Sequence, residues 1–427
     1  MEARVSARLS SALPRGPDSW RRRWLLAALV LVIVLVATEA LSWVAILVSR
    51  PLLDEEIRTT RDILQEQTEM IRRLVAPDSS RLLALDPVLG WRYRAGHRDS
   101  TNTMNGQGVR STRTYATQPP RGVIRVAAFG DSFVYGNEVA DSAAWPAQIE
   151  RLYPNLEVAN YGVGGYGVDQ AYLRFCVEGT ALSPRFVIIG FTTDDLRRVV
   201  NVYRRFVSNR EIPLVKPRFV LDAGGRLVLV PNPVARPEDY ERYVHSPRDI
   251  VALGANDQWY SAAIYRNPVY DYSATVRLLT GVWLRLQRRY FAPQRLVRHG
   301  EFNPSSIAFR IQLALFEQFA AAVRAAGAHP LVAILPDEGS VASARSGRRT
   351  LLGSLVRGLA ARGLDYVDVT QAFVAPELRG DVNDWFMVGR HYSPAGNRIV
   401  ARWLGREILA RERGPVSAQS GLSRRKG

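Results

Sequence analysis

The chain has 427 residues, 47% of them hydrophobic, enough for one large or two ordinary domains with a sizeable core. Its formal net charge of +17 is almost wholly arginine, since Lys216 and Lys426 are the only lysines. That excess reads either as a composition bias or as attraction to anionic headgroups or acidic polymers. The basic residues are scattered rather than grouped on one periodic face, and no DNA- or RNA-binding motif accompanies them, so nucleic acid is not an expected partner. The single cysteine, Cys176, rules out an intrachain disulfide and a cysteine-rich metal site. Its place in the apolar stretch Ala171 to Val177 predicts a buried thiol.

Residues 1–23 are polar and basic and end in Arg21-Arg22-Arg23. Residues 24–48 are apolar except near Glu39, long enough to cross a hydrocarbon core about 30 Å thick with some tilt. A carboxyl in such a run is costly unless it lies near an interface or against another helix. The arginines ahead of the run place the N-terminus in the cytoplasm and the rest of the chain outside it. The alternative is a cleaved signal peptide with a poor cleavage site at Thr38-Glu39-Ala40. Both readings export the remainder.

Residues 49–76 read as a helical stalk. Leu53, Ile57, Leu64, Ile71 and Leu74 fall on alternating steps of three and four, with Thr60 and Gln67 completing the register. This fits a short coiled coil that could form a homodimer, or a monomeric spacer. Residues 77–121, rich in Asp, Gly, Pro, Asn and Ser, read as loops. From there short apolar runs at Arg125–Gly130, Leu156–Asn160, Phe186–Phe191, Pro330–Leu335 and Leu364–Val369 predict strands. Helices are predicted near 143–152, 167–179, 305–327, 347–362 and 394–412. Strands alternating with helices indicate a three-layer α/β/α domain, residues 77–412, around a mainly parallel five-stranded sheet. Active sites of such sheets lie at the carboxyl ends of the strands. Residues 197–300 interrupt the alternation with a predicted hairpin, Arg218–Asp222 and Arg226–Val230, and many aromatics, among them Tyr240, Tyr243, Tyr270 and Trp283. They read as an insertion capping the sheet. Residues 413–427 read as a disordered basic tail.

Three segments carry chemistry. The first strand runs into Gly130-Asp131-Ser132, which sets a serine hydroxyl at the sheet edge beside free N–H groups of the next helix. The second strand is followed by Asn160-Tyr161-Gly162-Val163-Gly164-Gly165, whose glycines permit close backbone approach. Near the C-terminus, Gly389-Arg390-His391-Tyr392-Ser393-Pro394-Ala395-Gly396 puts His391 in a loop just before a helix that starts at Pro394 with Ser393 as N-cap. Each segment alone has an ordinary structural reading as a turn or a loop.

Taken together and in this order, the segments resemble the SGNH/GDSL hydrolase family. Gly130-Asp131-Ser132 matches its first block, Gly165 its second, and His391 with Ser393-Pro394-Ala395-Gly396 its last. The prelude Asp86-Pro87-Val88-Leu89-Gly90-Trp91, with Asn105-Gly106 and Arg110, is similar to that of exported bacterial members. The resemblance implies a flavodoxin-like sheet, Ser132 as nucleophile, His391 as base, and an oxyanion hole from Ser132, Gly165 and the residue at Asp194. It implies no metal and no cofactor. Two positions depart from the family. Asp194 stands where an asparagine is expected, in Phe191-Thr192-Thr193-Asp194-Asp195. Val388 stands where an aspartate should precede the histidine, leaving Asp384, less favourably Asp381, or a backbone carbonyl in a Ser–His dyad, to orient the imidazole. The expectation is a serine esterase or acyltransferase, anchored in a bacterial inner membrane through residues 24–48, acting outside on an acylated carbohydrate. The alternative is a weak or inactive carbohydrate-binding module on the same fold.

Overall fold

The computed structural model describes residues 17–76, 81–208, 211–290 and 295–413. The predicted tail at 413–427 lies outside them, save for its first residue, as do residues 1–16. The chain divides into two units. One holds the N-terminal segment to Arg61 together with Ala262–Leu284, and the other holds the rest.

In the first unit, helix α1 (Pro17–Ile57) contains a stretch, Trp20–Ser49, of mean hydropathy 2.6, long and apolar enough to cross a membrane. Leu25, Leu29 and Ile33 on it are exposed. Glu39 has partners. Its carboxylate accepts hydrogen bonds from Ser273 Oγ (2.8 Å), Thr275 Oγ1 (2.9 Å) and the N–H groups of Ala274 and Thr275. It thereby satisfies the free N–H groups that open helix Ala274–Tyr290. Ser42 bonds Thr275 at 3.0 Å, and the Arg277 guanidinium lies 4.7 Å over the Trp43 ring.

The second unit starts with α2 (Thr60–Val75, from Asp62 on). Ile63, Gln67 and Ile71 on it are buried, so the expected stalk is two helices, the second of which covers its apolar positions against its own chain. The loops expected at 77–121 contain an antiparallel hairpin, β1 (Leu83–Asp86) and β2 (Gly90–Tyr93). Its strands are too short to show a period, but Trp91 and Tyr93 are buried.

The central sheet consists of β3 (Ile124–Phe129), β4 (Leu156–Asn160), β5 (Phe186–Phe191), β10 (His329–Ile334) and β11 (Tyr366–Asp368). All are parallel, in the order β11-β10-β5-β3-β4. The runs are continuously apolar because both faces are covered. Val126, Ala128, Ile188, Leu331 and Ala333 face α4 (Trp145–Leu152) and helix Pro394–Arg413. Ala127, Phe129, Val187, Ile189, Val332 and Ile334 face α5 (Val168–Glu178) and helix Ile307–Ala325. Between β3 and β4 the buried Arg125 reaches across to Glu157 at 2.7 Å. The order reverses at β3, so the loop after β3 opens at a topological switch point, where α/β sheets place their ligands.

The insertion contains the predicted hairpin as β6 (Arg218–Leu221) and β7 (Leu227–Val230). A two-residue ladder, β8 (Val297–Arg298) with β9 (Glu301–Phe302), closes it. Lys216 and Asp169, both without solvent exposure, pair inside and join the insertion to α5. Tyr240 and Tyr243 are buried with their ring centroids 6.2 Å apart, and Tyr270 is buried as well. Cys176 is exposed, contrary to expectation, because α5 turns its last positions outward after the buried run Ala171–Phe175.

Candidate active site

Ser132 opens the short helix α3 (Ser132–Tyr135) directly after β3. Asp131 caps that helix by accepting from the Phe133 N–H at 2.9 Å. The same carboxylate binds the Arg198 guanidinium at 2.8 Å and the Thr192 hydroxyl at 3.1 Å, which fixes the turn from behind. Arg198 belongs to α6 (Asp195–Arg198).

His391 arrives on a tight turn. Phe386 and Tyr392 bridge antiparallel, the Met387 N–H donates to His391 O at 2.7 Å, and Arg390 turns the chain with φ +69°. Tyr392 anchors the turn by donating to Pro336 O at 2.7 Å, and the Phe133 ring packs 5.2 Å from the imidazole. Ser393 Oγ accepts from the Gly396 N–H at 3.2 Å, as an N-cap should.

The two expected residues meet. His391 Nε2 lies 2.8 Å from Ser132 Oγ. The other ring nitrogen, Nδ1, lies 2.7 Å from Oε2 of Glu138. Glu138 also accepts from the Gly389 N–H at 2.8 Å and the His391 N–H at 3.3 Å. With the ring proton on Nδ1, that nitrogen donates to Glu138 and Nε2 is left to accept from the serine hydroxyl. Burial pushes the Glu138 carboxyl up, but the hydrogen bonds from His391 and Gly389 outweigh it and hold it below its usual value of 4.5. It is therefore a carboxylate at neutral pH.

Asp384 does not hold this place. Its Oδ2 accepts from the Asp381 N–H at 3.1 Å, while Asp381 caps the same turn through the Asn383 N–H at 2.9 Å. Both acids are used within one exposed turn, Val382–Trp385. Sequence reasoning missed Glu138 because it sits in no motif. The available signal was elimination: with Val388 apolar, Glu138 is the acid closest in sequence to Ser132 other than the capping Asp131.

Asp194 is engaged by two arginines. Its carboxylate pairs with Arg197 and, at 3.5 Å, with Arg198. Burial raises its pKa, and the charges of Arg198 and Arg197 more than reverse that, leaving it below the usual 3.8. An ionised carboxylate has no proton to give an oxyanion. The neighbouring Thr193 hydroxyl is engaged by Asp337.

The glycine loop leaves one N–H over. The N–H groups of Tyr161, Gly162, Val163, Gly164 and Tyr166 go to Ala128 O, Asn160 Oδ1, Gly130 O, Tyr93 Oη and Val163 O. Among the described residues the Gly165 N–H has no acceptor. Gly165 has φ +79°, a conformation that glycine adopts freely. Gly162 is required for another reason: a Cβ there would lie 2.2 Å from the Tyr135 backbone nitrogen, in α3.

No protein-family model matches the chain, and no curated protein does. Solved structures similar to it include three of low identity. A member of the lipolytic protein G-D-S-L family from Veillonella parvula is 12% identical, covering 68% of this chain and 100% of its own, with a TM-score of 0.31. A lipase/acylhydrolase from Enterococcus faecalis is 14% identical, covering 68% and 97%, at 0.30. A variant of an acetyl xylan esterase from Geobacillus stearothermophilus is 14% identical, covering 67% and 94%, at 0.32.

Proposed function

We propose that the chain is a serine esterase or acyltransferase acting on an acylated glycan outside the cytoplasmic membrane of a bacterium. The observation that carries this is the chain of contacts Ser132 Oγ to His391 Nε2 (2.8 Å) and His391 Nδ1 to Glu138 Oε2 (2.7 Å). A hydroxyl on a base that is in turn oriented by a carboxylate is the arrangement nucleophilic catalysis requires.

In this scheme Ser132 Oγ attacks the ester carbonyl as His391 Nε2 takes its proton. Glu138 keeps the imidazole in the productive tautomer and balances its transient charge. The carbonyl oxygen takes up negative charge against the Gly165 and Ser132 N–H groups. Collapse expels the alcohol, which receives the proton from His391, and leaves an acyl-Ser132. Water or a sugar hydroxyl, deprotonated by His391, then removes the acyl group. The apolar helix behind Arg21-Arg22-Arg23 supports a span with the catalytic unit on the outer side.

A fluorophosphonate probe is expected to label Ser132 in the full chain held in detergent. Ser132→Ala and His391→Ala should each abolish hydrolysis of p-nitrophenyl acetate, and the double variant should be scarcely worse than either, because the residues act as a unit. A folded chain that takes no label would instead be a glycan-binding module.

A further inference from the structure

The catalytic unit has a cavity of about 520 Å³, whose lining includes Arg151, Arg379, Arg398 and Arg402 together with Trp385 and Ile399. All four arginines are exposed. None has an ion pair with a carboxylate among the described residues; Arg379 donates only to Pro376 O at 2.6 Å. No aspartate or glutamate lines the cavity. A composition rich in arginine does not produce this by itself. In another cavity of the same unit, Arg357 and Arg362 are matched by Glu301 and Glu317, the latter at 3.0 Å. Arg398 and Arg402 stand one turn apart on helix Pro394–Arg413, and Arg406 is exposed one turn further. Like charges at that spacing oppose helix formation, so the fold itself gains nothing from them.

The cavity adjoins the reacting groups along the chain. Its lining residue Pro394 is three residues after His391, and its lining residue Ser142 is four after Glu138. At roughly 3.3–3.6 Å per residue, neither can be more than about 10–14 Å from the catalytic backbone positions. Guanidinium groups bind carboxylates in paired hydrogen bonds and are weakly hydrated, which suits a row of them to a chain with repeated carboxylates.

We propose that this groove binds an acidic glycan, a polymer of carboxylate-bearing sugars, and leads its acylated units to Ser132. The binding half stands on the groove alone, and the delivery half rests on the esterase reading above.

The test uses the full chain in detergent as the Ser132→Ala variant, with oligogalacturonate as probe and dextran as neutral control. Oligogalacturonate is expected to bind and dextran not. The double substitution Arg398→Gln with Arg402→Gln should weaken binding by about tenfold or more, the size expected from losing charge-assisted hydrogen bonds. Placed in the Ser132-containing chain, the same pair should leave p-nitrophenyl acetate hydrolysis unchanged and should not lower the melting temperature. Equal binding by both chains, or no binding to either, overturns the proposal. So does binding of inorganic phosphate or phosphatidylglycerol vesicles in place of oligogalacturonate, which would make the groove a phosphate site. Binding that depends on the arginines in a chain with no ester hydrolysis would leave the groove standing and remove the esterase reading.

Discussion

Glu138 reaches His391 from a strained backbone. It has φ +68°, and Arg390, on the facing turn, has φ +69°. Non-glycine residues in that region cost about 1–3 kcal/mol each and persist where the surroundings impose them, often at active sites. Here the imposition is three hydrogen bonds to one carboxylate. Glu138→Gln keeps the shape and removes the charge, and an amide can hold the wrong imidazole tautomer. It should lower kcat by about 10²–10⁴-fold with KM little changed, whereas Asp384→Asn should leave both near wild type. Steady-state kinetics on p-nitrophenyl acetate decide this, and a larger loss at Asp384 would reverse the assignment. A second residue-scale expectation concerns Asp195, which is buried behind the nucleophile. Burial, and then the charge of Asp131, push its carboxyl well above the usual 3.8. A raised acid pKa means the folded state prefers the neutral form. Its contribution to stability is whole below the unfolded value and is lost as pH rises through the folded one. The wild-type melting temperature should therefore fall relative to Asp195→Asn as pH rises above about 4. Parallel curves would show that Asp195 does not titrate in this way.

At the level of elements, short apolar runs alternating with helical stretches made the sheet legible. β4 and β5 fall where the apolar runs placed them, and β3 and β10 are shifted by a single residue. Alternate residues sort to the two buried faces, so the pattern and the packing are the same fact. Ser132 and His391 were legible because each sits at a strand-to-helix or loop-to-helix junction with its own composition. Glu138 was not, because what selects it is a contact with a residue 253 positions away. The predicted helix at 347–362 is shorter, Gly353–Ala360, and a separate helix that the sequence did not announce, Glu338–Arg345, precedes it on an Asp337 cap that accepts from the Ser340 N–H. The glycine loop and α3 form one packed pair at Gly162. Gly162→Ala would force the Tyr135 backbone aside and should destabilise by about 1–3 kcal/mol. Thermal melts and slower fluorophosphonate labelling would register it together. A normal labelling rate with an unchanged melting temperature would mean the two elements are not coupled.

For the whole molecule, the membrane-length helix has a specific polar partner. Glu39 read in sequence as a costly interruption, and its partner at Ser273–Thr275 lies too far along the chain for any local pattern to reveal. Replacing it by leucine should strengthen apolar character while stripping the cap from helix Ala274–Tyr290, a loss of about 0.5–2 kcal/mol. Limited proteolysis should then cut near residue 274 faster in Glu39→Leu than in wild type, with Ser132 labelling unaffected. Equal cutting would show that the carboxylate is dispensable to that helix.

The placement of Glu138 also bears on biosynthesis. In the proposed mechanism the nucleophile and the acid lie within seven residues of one another, in the segment that follows β3, while the base comes 259 residues after the serine. A nascent or truncated chain ending before residue 386 contains two members of the triad and lacks the third. If the chain is the esterase proposed, competence waits on the docking of the C-terminal turn. An incomplete product carries its serine without a base to activate it.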